Sequence, residues 1–263
     1  MRIVVIIPAA GRSERFAPGT MKNKLEQDLG GRPVFMRSLE ALSNRPEIST
    51  ILVAVNPDSL DEFRMRWGDA LGLRGAKVVA GGRLERWETV KNALAHVPDD
   101  ATHVAVHDGA RPCLSDDLIT RLFEAAMLFE AVIPGVPVPA TLKRVSEQVE
   151  SAAQDDALAS AILGDAGASG TVARTVVETI DRRNVYAIQT PQVFEADLLR
   201  RAYAQPDLDS TDDATLVERL GVPVRVIEGD ALNIKITTEV DLRLARAILQ
   251  VKPEKERPAH LRF

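Results

Sequence analysis

Ile3-Val4-Val5-Ile6-Ile7 runs straight into Pro8-Ala9-Ala10-Gly11-Arg12-Ser13-Glu14-Arg15, and Lys22 and Lys24 follow. Successive β-branched residues with no polar alternation describe a strand covered on both faces, the situation of a parallel sheet. Small residues after such a strand let backbone N–H groups approach an anion, and the cations behind them neutralise it. The stretch predicts a nucleoside triphosphate at the carboxyl end of the first strand. The alternative is a plain small-residue turn with solvated cations. The loop is not a Walker A sequence, because Gly-Lys-Ser/Thr is missing, and it lacks the second and third glycines of a dinucleotide fingerprint.

Working outward, strand-like runs at Ile51–Val55, Val78–Ala80, His103–His107 and Val132–Val136 alternate with helix-like stretches. The latter run from Pro33 to Leu42, Asp58 to Trp67, Glu85 to His96 and Ser115 to Glu130. Pro33 fits a first helical position, and Ser115 before two aspartates fits a helix start. The alternation predicts an α/β fold, a single Rossmann-like domain over residues 1–250 with a mostly parallel sheet flanked by helices. Order breaks between about residues 140 and 185, where Ser146 to Thr171 is rich in Ala, Ser, Asp and Gly and reads as a helical excursion, a mobile arm or an insertion. Strand signals return at Val185–Gln189, Val224–Ile227 and Asn233–Ile236, before a helix from Glu239 to Gln250. Residues 251–263, with two prolines and many charges, read as a frayed tail.

At 263 residues, 45% of them apolar, the chain can bury a substantial core. A net charge of -5 argues against nucleic acid as a partner. No apolar run approaches bilayer-spanning length and no signal-peptide pattern opens the chain, so a cytoplasmic protein without membrane association is expected. The lone Cys113 leaves no internal disulfide and no cysteine-rich metal site.

Val106-His107-Asp108-Gly109-Ala110-Arg111-Pro112 closes the fourth strand. Open α/β sheets bind ligands outside their strands' carboxyl ends. Asp108 is therefore placed to hold Mg²⁺ (or another divalent cation) on triphosphate oxygens, or else to cap the following turn. His107 reads as a residue that packs or hydrogen-bonds locally. Gly81-Gly82, ahead of Arg86 and Thr89 at a helix start, would let backbone lie against a planar base, with the Thr89 hydroxyl in reach of the ligand; a bare turn is the alternative. Asn233, Lys235 and Thr237 alternate along a strand and so share one side. There Lys235 would reach a phosphate or stand at an exposed edge.

Taken in order, these segments resemble the 2-C-methyl-D-erythritol 4-phosphate cytidylyltransferase family over nearly the whole chain. Pro8-Ala9-Ala10-Gly11 with Arg15 is similar to its CTP loop, Gly81-Gly82 with Arg86 and Thr89 to its base-reading segment, and Val106-His107-Asp108-Gly109 through Arg111-Pro112 to its metal-bearing motif. Gln189-Thr190-Pro191-Gln192-Val193-Phe194, Thr211-Asp212-Asp213-Ala214 and Asn233-Ile234-Lys235-Ile236-Thr237 are similar to later signatures. Thr141 and Arg182 stand in segments similar to an arm that in relatives crosses to a dimer partner. The resemblance implies transfer of CMP from CTP to 2-C-methyl-D-erythritol 4-phosphate, with release of pyrophosphate, in non-mevalonate isoprenoid biosynthesis. It implies Arg15, Lys24 or Lys22, and Lys235 as catalytic cations, with Asp108 holding the metal. Arg111, Thr141, Arg182 and Thr190 would bind the acceptor, and a homodimer would form through the arm at about 140–185. Ser13 stands where relatives carry the loop's second glycine, Ala140 replaces an aspartate usual before the arm threonine, and the arm is longer than usual. Two other functions stay open, namely transfer to another polyol phosphate such as ribitol 5-phosphate, and nucleotide binding without turnover.

Overall fold

In the computed structural model, residues 1–11, 16, 23–152 and 171–252 are described. Arg15, Ser13, Lys22, most of the Ser146–Thr171 stretch and nearly all of the expected tail lie outside them.

Strand β1 (Ile3–Pro8) shows why the opening run has no alternation. Val4 and Ile6 belong to one hydrophobic core and Ile3, Val5 and Ile7 to another, and all five are completely buried. Burying each such side chain is worth about 1.5–3 kcal/mol, which fixes β1 at the centre of the sheet. It pairs in parallel with β2 (Ile48–Val55) and β4 (His103–Val106), and β3 (Ala76–Ala80) adds in parallel to β2. β11 (Gln192–Glu195) inserts antiparallel between β4 and β5 (Ala131–Pro137), while β12 (Arg225–Glu228) runs parallel to β5. With β10 (Tyr186–Ile188) the order is β10-β5-β11-β4-β1-β2-β3, so the sheet is mostly parallel as expected.

Helices α1 (Val34–Ser43), α2 (Leu60–Gly72) and α4 (Asp116–Ala126) cover the face of Ile3, Val5 and Ile7. Helices α3 (Arg86–Leu94), α5 (Ala196–Tyr203) and α6 (Asp213–Glu218) cover the other. Helix α7 (Glu239–Ile248) closes a third cluster with Leu29, Val34 and Ile236. Among the described residues no helix is long and apolar enough to cross a membrane.

Three local expectations change. Pro33 is the extended N-cap of α1, with φ -66° and ψ 151°, and Val34 is the first helical residue. The helix expected from Asp58 begins only at Leu60, because Asn56 accepts from Asp58 N and closes a short 3-10 turn over Pro57–Ser59 first. Asn233–Ile236 forms no strand. Its amides are used in local turns, Asn233 N donating to Asp230 O and Ile234 N to Leu232 O, while Ile236 N reaches Ala110 O at 2.8 Å.

The chain divides into two compact units, Met1–Val136 with Ile188–Phe263, and Pro137–Ala187. Within the second, β6 (Leu142–Val145) pairs antiparallel with β9 (Val176–Ile180), and β7 (Glu150–Ala152) with β8 (Thr171–Ala173). The region expected to lose order thus carries two ladders. β6 and β9 are exposed along nearly their whole length, so no buried face imposes the period-two pattern by which a strand is recognised.

Candidate active site

The carboxyl ends of β1, β3 and β4 open on one side of the first unit. Ala9 N donates to Ala54 O at 2.7 Å, extending the ladder by one residue before Ala10 and Gly11 leave the sheet. His107 N does the same to Ile6 O, and Asp108 is the first residue beyond it. Ser38 of α1 donates its hydroxyl to Gly109 O at 2.9 Å and pins that loop from below. At the end of β3, a side chain on Gly81 would meet Thr89 Cγ2 at 2.7 Å and Val55 O at 3.1 Å, so the glycine is required by packing. Gly82 N donates to the Thr89 hydroxyl, which itself donates to Glu85 O. Thr89 is 2% exposed, and its hydroxyl is bonded within the loop.

Asp108 is the centre of charge. Lys235 Nζ lies 2.6 Å from its Oδ2, Arg86 Nε 3.6 Å from its Oδ1, and Arg111 Nε 3.8 Å from its Oδ2. Burial alone would raise the Asp108 carboxyl, but these three cations outweigh it and hold the group well below the usual carboxylate range. Arg86 is clamped from the far side by Asp213, whose Oδ2 accepts from Nη2 at 2.7 Å, and Tyr203 donates its hydroxyl to Asp213 Oδ1 at 2.5 Å. Burial would lower the Arg86 guanidinium, yet Asp213 and Asp108 hold it above its ordinary value. Gln192 of β11 sets this corner by accepting from both Asp213 N and Ala214 N. Beside Asp108, burial pushes the His107 imidazole down to about 4, so it is neutral at ordinary pH.

Two clefts meet here. One, of about 260 Å³, is lined by Pro8, Ala10 and Gly11, by Lys24, and by Gly82, Thr89 and Gly109. The other, of about 460 Å³, is lined by Arg111, Thr190, Gln192 and Asp212. Arg86, Asp108 and Lys235 line both and form the wall between them. Ala9 and Gly81 do not line the first cleft. Thr141 and Arg182 lie in the second unit, where Arg182 donates to Pro139 O. The three alternating residues of the misread strand part company: Asn233 is buried, Lys235 meets Asp108, and Thr237 caps toward Asp241.

Asp213, Tyr203 and Gln192 received no role from sequence. An acid pair before a helix reads as capping, and Asp212 does cap α6 by accepting from Thr215 N at 3.1 Å. The available signal was Arg86, a cation in a first helical turn, where the helix dipole disfavours positive charge and a nearby acid is needed.

The model of the 2-C-methyl-D-erythritol 4-phosphate cytidylyltransferase family matches residues 3–162 and 148–251. A 2-C-methyl-D-erythritol 4-phosphate cytidylyltransferase of Frankia casuarinae is 39% identical over 250 residues, covering 94% of this chain and 81% of its own length. One from Symbiobacterium thermophilum is 38% identical over 251 residues, covering 94% and 93%. The crystal structure of the Thermus thermophilus enzyme of the same description superposes with a TM-score of 0.67 at 31% identity, covering 95% of this chain and 100% of that one.

Proposed function

The chain belongs to the 2-C-methyl-D-erythritol 4-phosphate cytidylyltransferase family, and from that premise we propose that it transfers CMP from CTP to 2-C-methyl-D-erythritol 4-phosphate. The products are 4-diphosphocytidyl-2-C-methyl-D-erythritol and pyrophosphate. The observation that carries the reading is the wall of Arg86, Asp108 and Lys235 shared by two clefts. A reaction that joins two anions needs two pockets meeting at a cationic seam.

CTP occupies the cleft behind Pro8, Ala10 and Gly11, and the acceptor phosphate lies beside Arg111 and Thr190. That phosphate is already anionic, so the attack on the α-phosphorus needs no general base. The barrier is repulsion between polyanions, and it is lowered by cations aimed at the transferring group. Lys235 exchanges its contact with Asp108 for the α-phosphate oxygens as they gain charge. Lys24, with Arg15, neutralises the departing pyrophosphate.

The donor set suits Mg²⁺ or another divalent cation carried in by the triphosphate. Among the described residues no group of three His, Cys, Asp or Glu could cage a metal, and Asp108 is a single ionised carboxylate. Mg²⁺ is commonly held by one or two carboxylates, with phosphates and water completing its shell. When bound it supplies Lewis-acid neutralisation of the phosphate oxygens.

Residues 1–250 would form one nucleotidyltransferase domain, acting in the cytoplasm, with an arm at about 140–185 that builds a homodimer and brings Thr141 and Arg182 to the acceptor. Incubation with CTP and Mg²⁺ and, in turn, 2-C-methyl-D-erythritol 4-phosphate or ribitol 5-phosphate tests the assignment. Pyrophosphate release is expected with the first; release only with the second, or with neither, overturns it.

A further inference from the structure

Asp108 and Lys235 reach the shared wall from separate loops, and a buried histidine outside both clefts helps to decide where those loops stand. His107 is fully buried and lines neither cleft. Its Nε2 is 3.2 Å from the Arg111 carbonyl, which can only accept, so this nitrogen carries the proton. In the neutral imidazole Nδ1 is then the acceptor, 3.2 Å from the Thr190 hydroxyl that donates to it. The same Thr190 oxygen accepts from Asp108 N at 3.0 Å. The side-chain amide of Asn233 donates to the Thr190 carbonyl at 2.9 Å, and Arg111 Nη1 donates to the Asn233 carbonyl at 2.8 Å. The path from His107 through Arg111, Asn233 and Thr190 returns to His107. It ties together the loop after β4, the residues before β11 and the segment before α7.

We infer that His107 is a positioning residue for the reaction: it closes a ring of four hydrogen bonds through Arg111, Asn233 and Thr190, and from that ring Asp108 and Lys235 project. This rests on the reading of Asp108 and Lys235 as working groups. A ring that merely fills space would be replaceable by a phenyl of similar size, whereas this one needs an acceptor toward Thr190 and a donor toward Arg111. The effect falls on placement, and a misplacement of about 1 Å costs catalysis about a hundredfold.

The test compares His107→Phe, His107→Asn and Asp108→Asn in the full chain. His107→Phe should lower kcat about 10–100-fold, as loss of a supporting partner does, with the CTP KM changed less than about twofold. His107→Asn sets an amide oxygen where Nδ1 stands, keeps the Thr190 acceptor and should recover most of that loss. A His107→Phe enzyme with parental kcat, or equal losses in the two His107 variants, overturns the inference while Asp108→Asn is inactive. If Asp108→Asn turns over like the parent, the reading of the site itself has failed. Should His107→Phe not fold, ¹⁵N-labelled histidine in the unaltered protein decides. The signal missing from His107→Asn must show Nε2 protonated and Nδ1 bare, and the opposite tautomer overturns the ring.

Discussion

Lys235 holds the Asp108 carboxylate at 2.6 Å, the shortest of that group's three ion pairs, and it faces both clefts. A cation so placed can serve the transferring phosphate without carrying the whole of nucleotide binding. Lys235→Ala should therefore lower kcat by about two to three orders of magnitude while CTP affinity, measured by calorimetry, falls much less. Unchanged turnover would remove Lys235 from the mechanism. Arg86 depends on its neighbours in a different way. Asp213 is completely buried between Arg86 and Tyr203, and burial keeps the Tyr203 phenol far above its ordinary value, a neutral donor at any working pH. Tyr203→Phe leaves a buried carboxylate oxygen without its donor, at a cost of about 1–3 kcal/mol in urea unfolding. It should also lower kcat, because a less firmly held Asp213 lets Arg86 drift from Asp108; a parental kcat would show that Arg86 does not need this support. Sequence displayed Arg86 and the Asp212-Asp213 pair plainly, but not their pairing. They stand 127 positions apart, and only the fold brings α3 and α6 together.

At the scale of elements, the parallel half of the sheet was legible because burial on both faces writes an unbroken apolar run, as in Ile3–Ile7. β11 was not, since Gln192-Val193-Phe194-Glu195 is four residues long and polar at both ends. The reverse error at Asn233–Ile236 has the same root. Polar and apolar residues alternate there as in a strand, but Ile236 is anchored in the third core cluster and Asn233 in the loop network, and among the described residues the segment joins no ladder. The segment is fixed at its far end by α7, whose Thr238 and Asp241 cap each other reciprocally. Asp241 accepts from the amides and hydroxyls of both Thr237 and Thr238. Partial burial would raise its carboxyl, yet these hydrogen bonds outweigh it and lower it. The unfolded chain, with the ordinary value of about 3.9, takes up the proton first, so the stabilisation is present above about pH 4 and is lost as pH falls below it. Asp241→Asn should cost about 1 kcal/mol at neutral pH. Thermal melts at pH 7 and pH 3 should show the difference from the parent shrinking on the acid side, and a constant difference would mean that the carboxylate charge is not what holds the cap.

For the whole molecule, the open question is what the second unit does for the first. Its composition hid its strands, because residues exposed on both sides carry no burial pattern, yet Val145, Val172, Val176 and Val177 are 43–67% exposed. Valines left in water on two small ladders suit a surface that another chain covers. The proposed homodimer makes a sharp prediction about ownership of the acceptor site. Lys235→Ala removes a cation of the first unit and Arg182→Ala one of the second, and each variant alone should be inactive. In a mixture allowed to exchange subunits, half the dimers are mixed. If the arm serves the partner's clefts, each mixed dimer holds one site with both cations intact, so about a quarter of parental activity should return. If the arm serves its own subunit, every site in every dimer lacks one cation and the mixture stays inactive. Light scattering separates that result from a failure to dimerise, since a monomeric mass for either variant would remove the basis for exchange altogether.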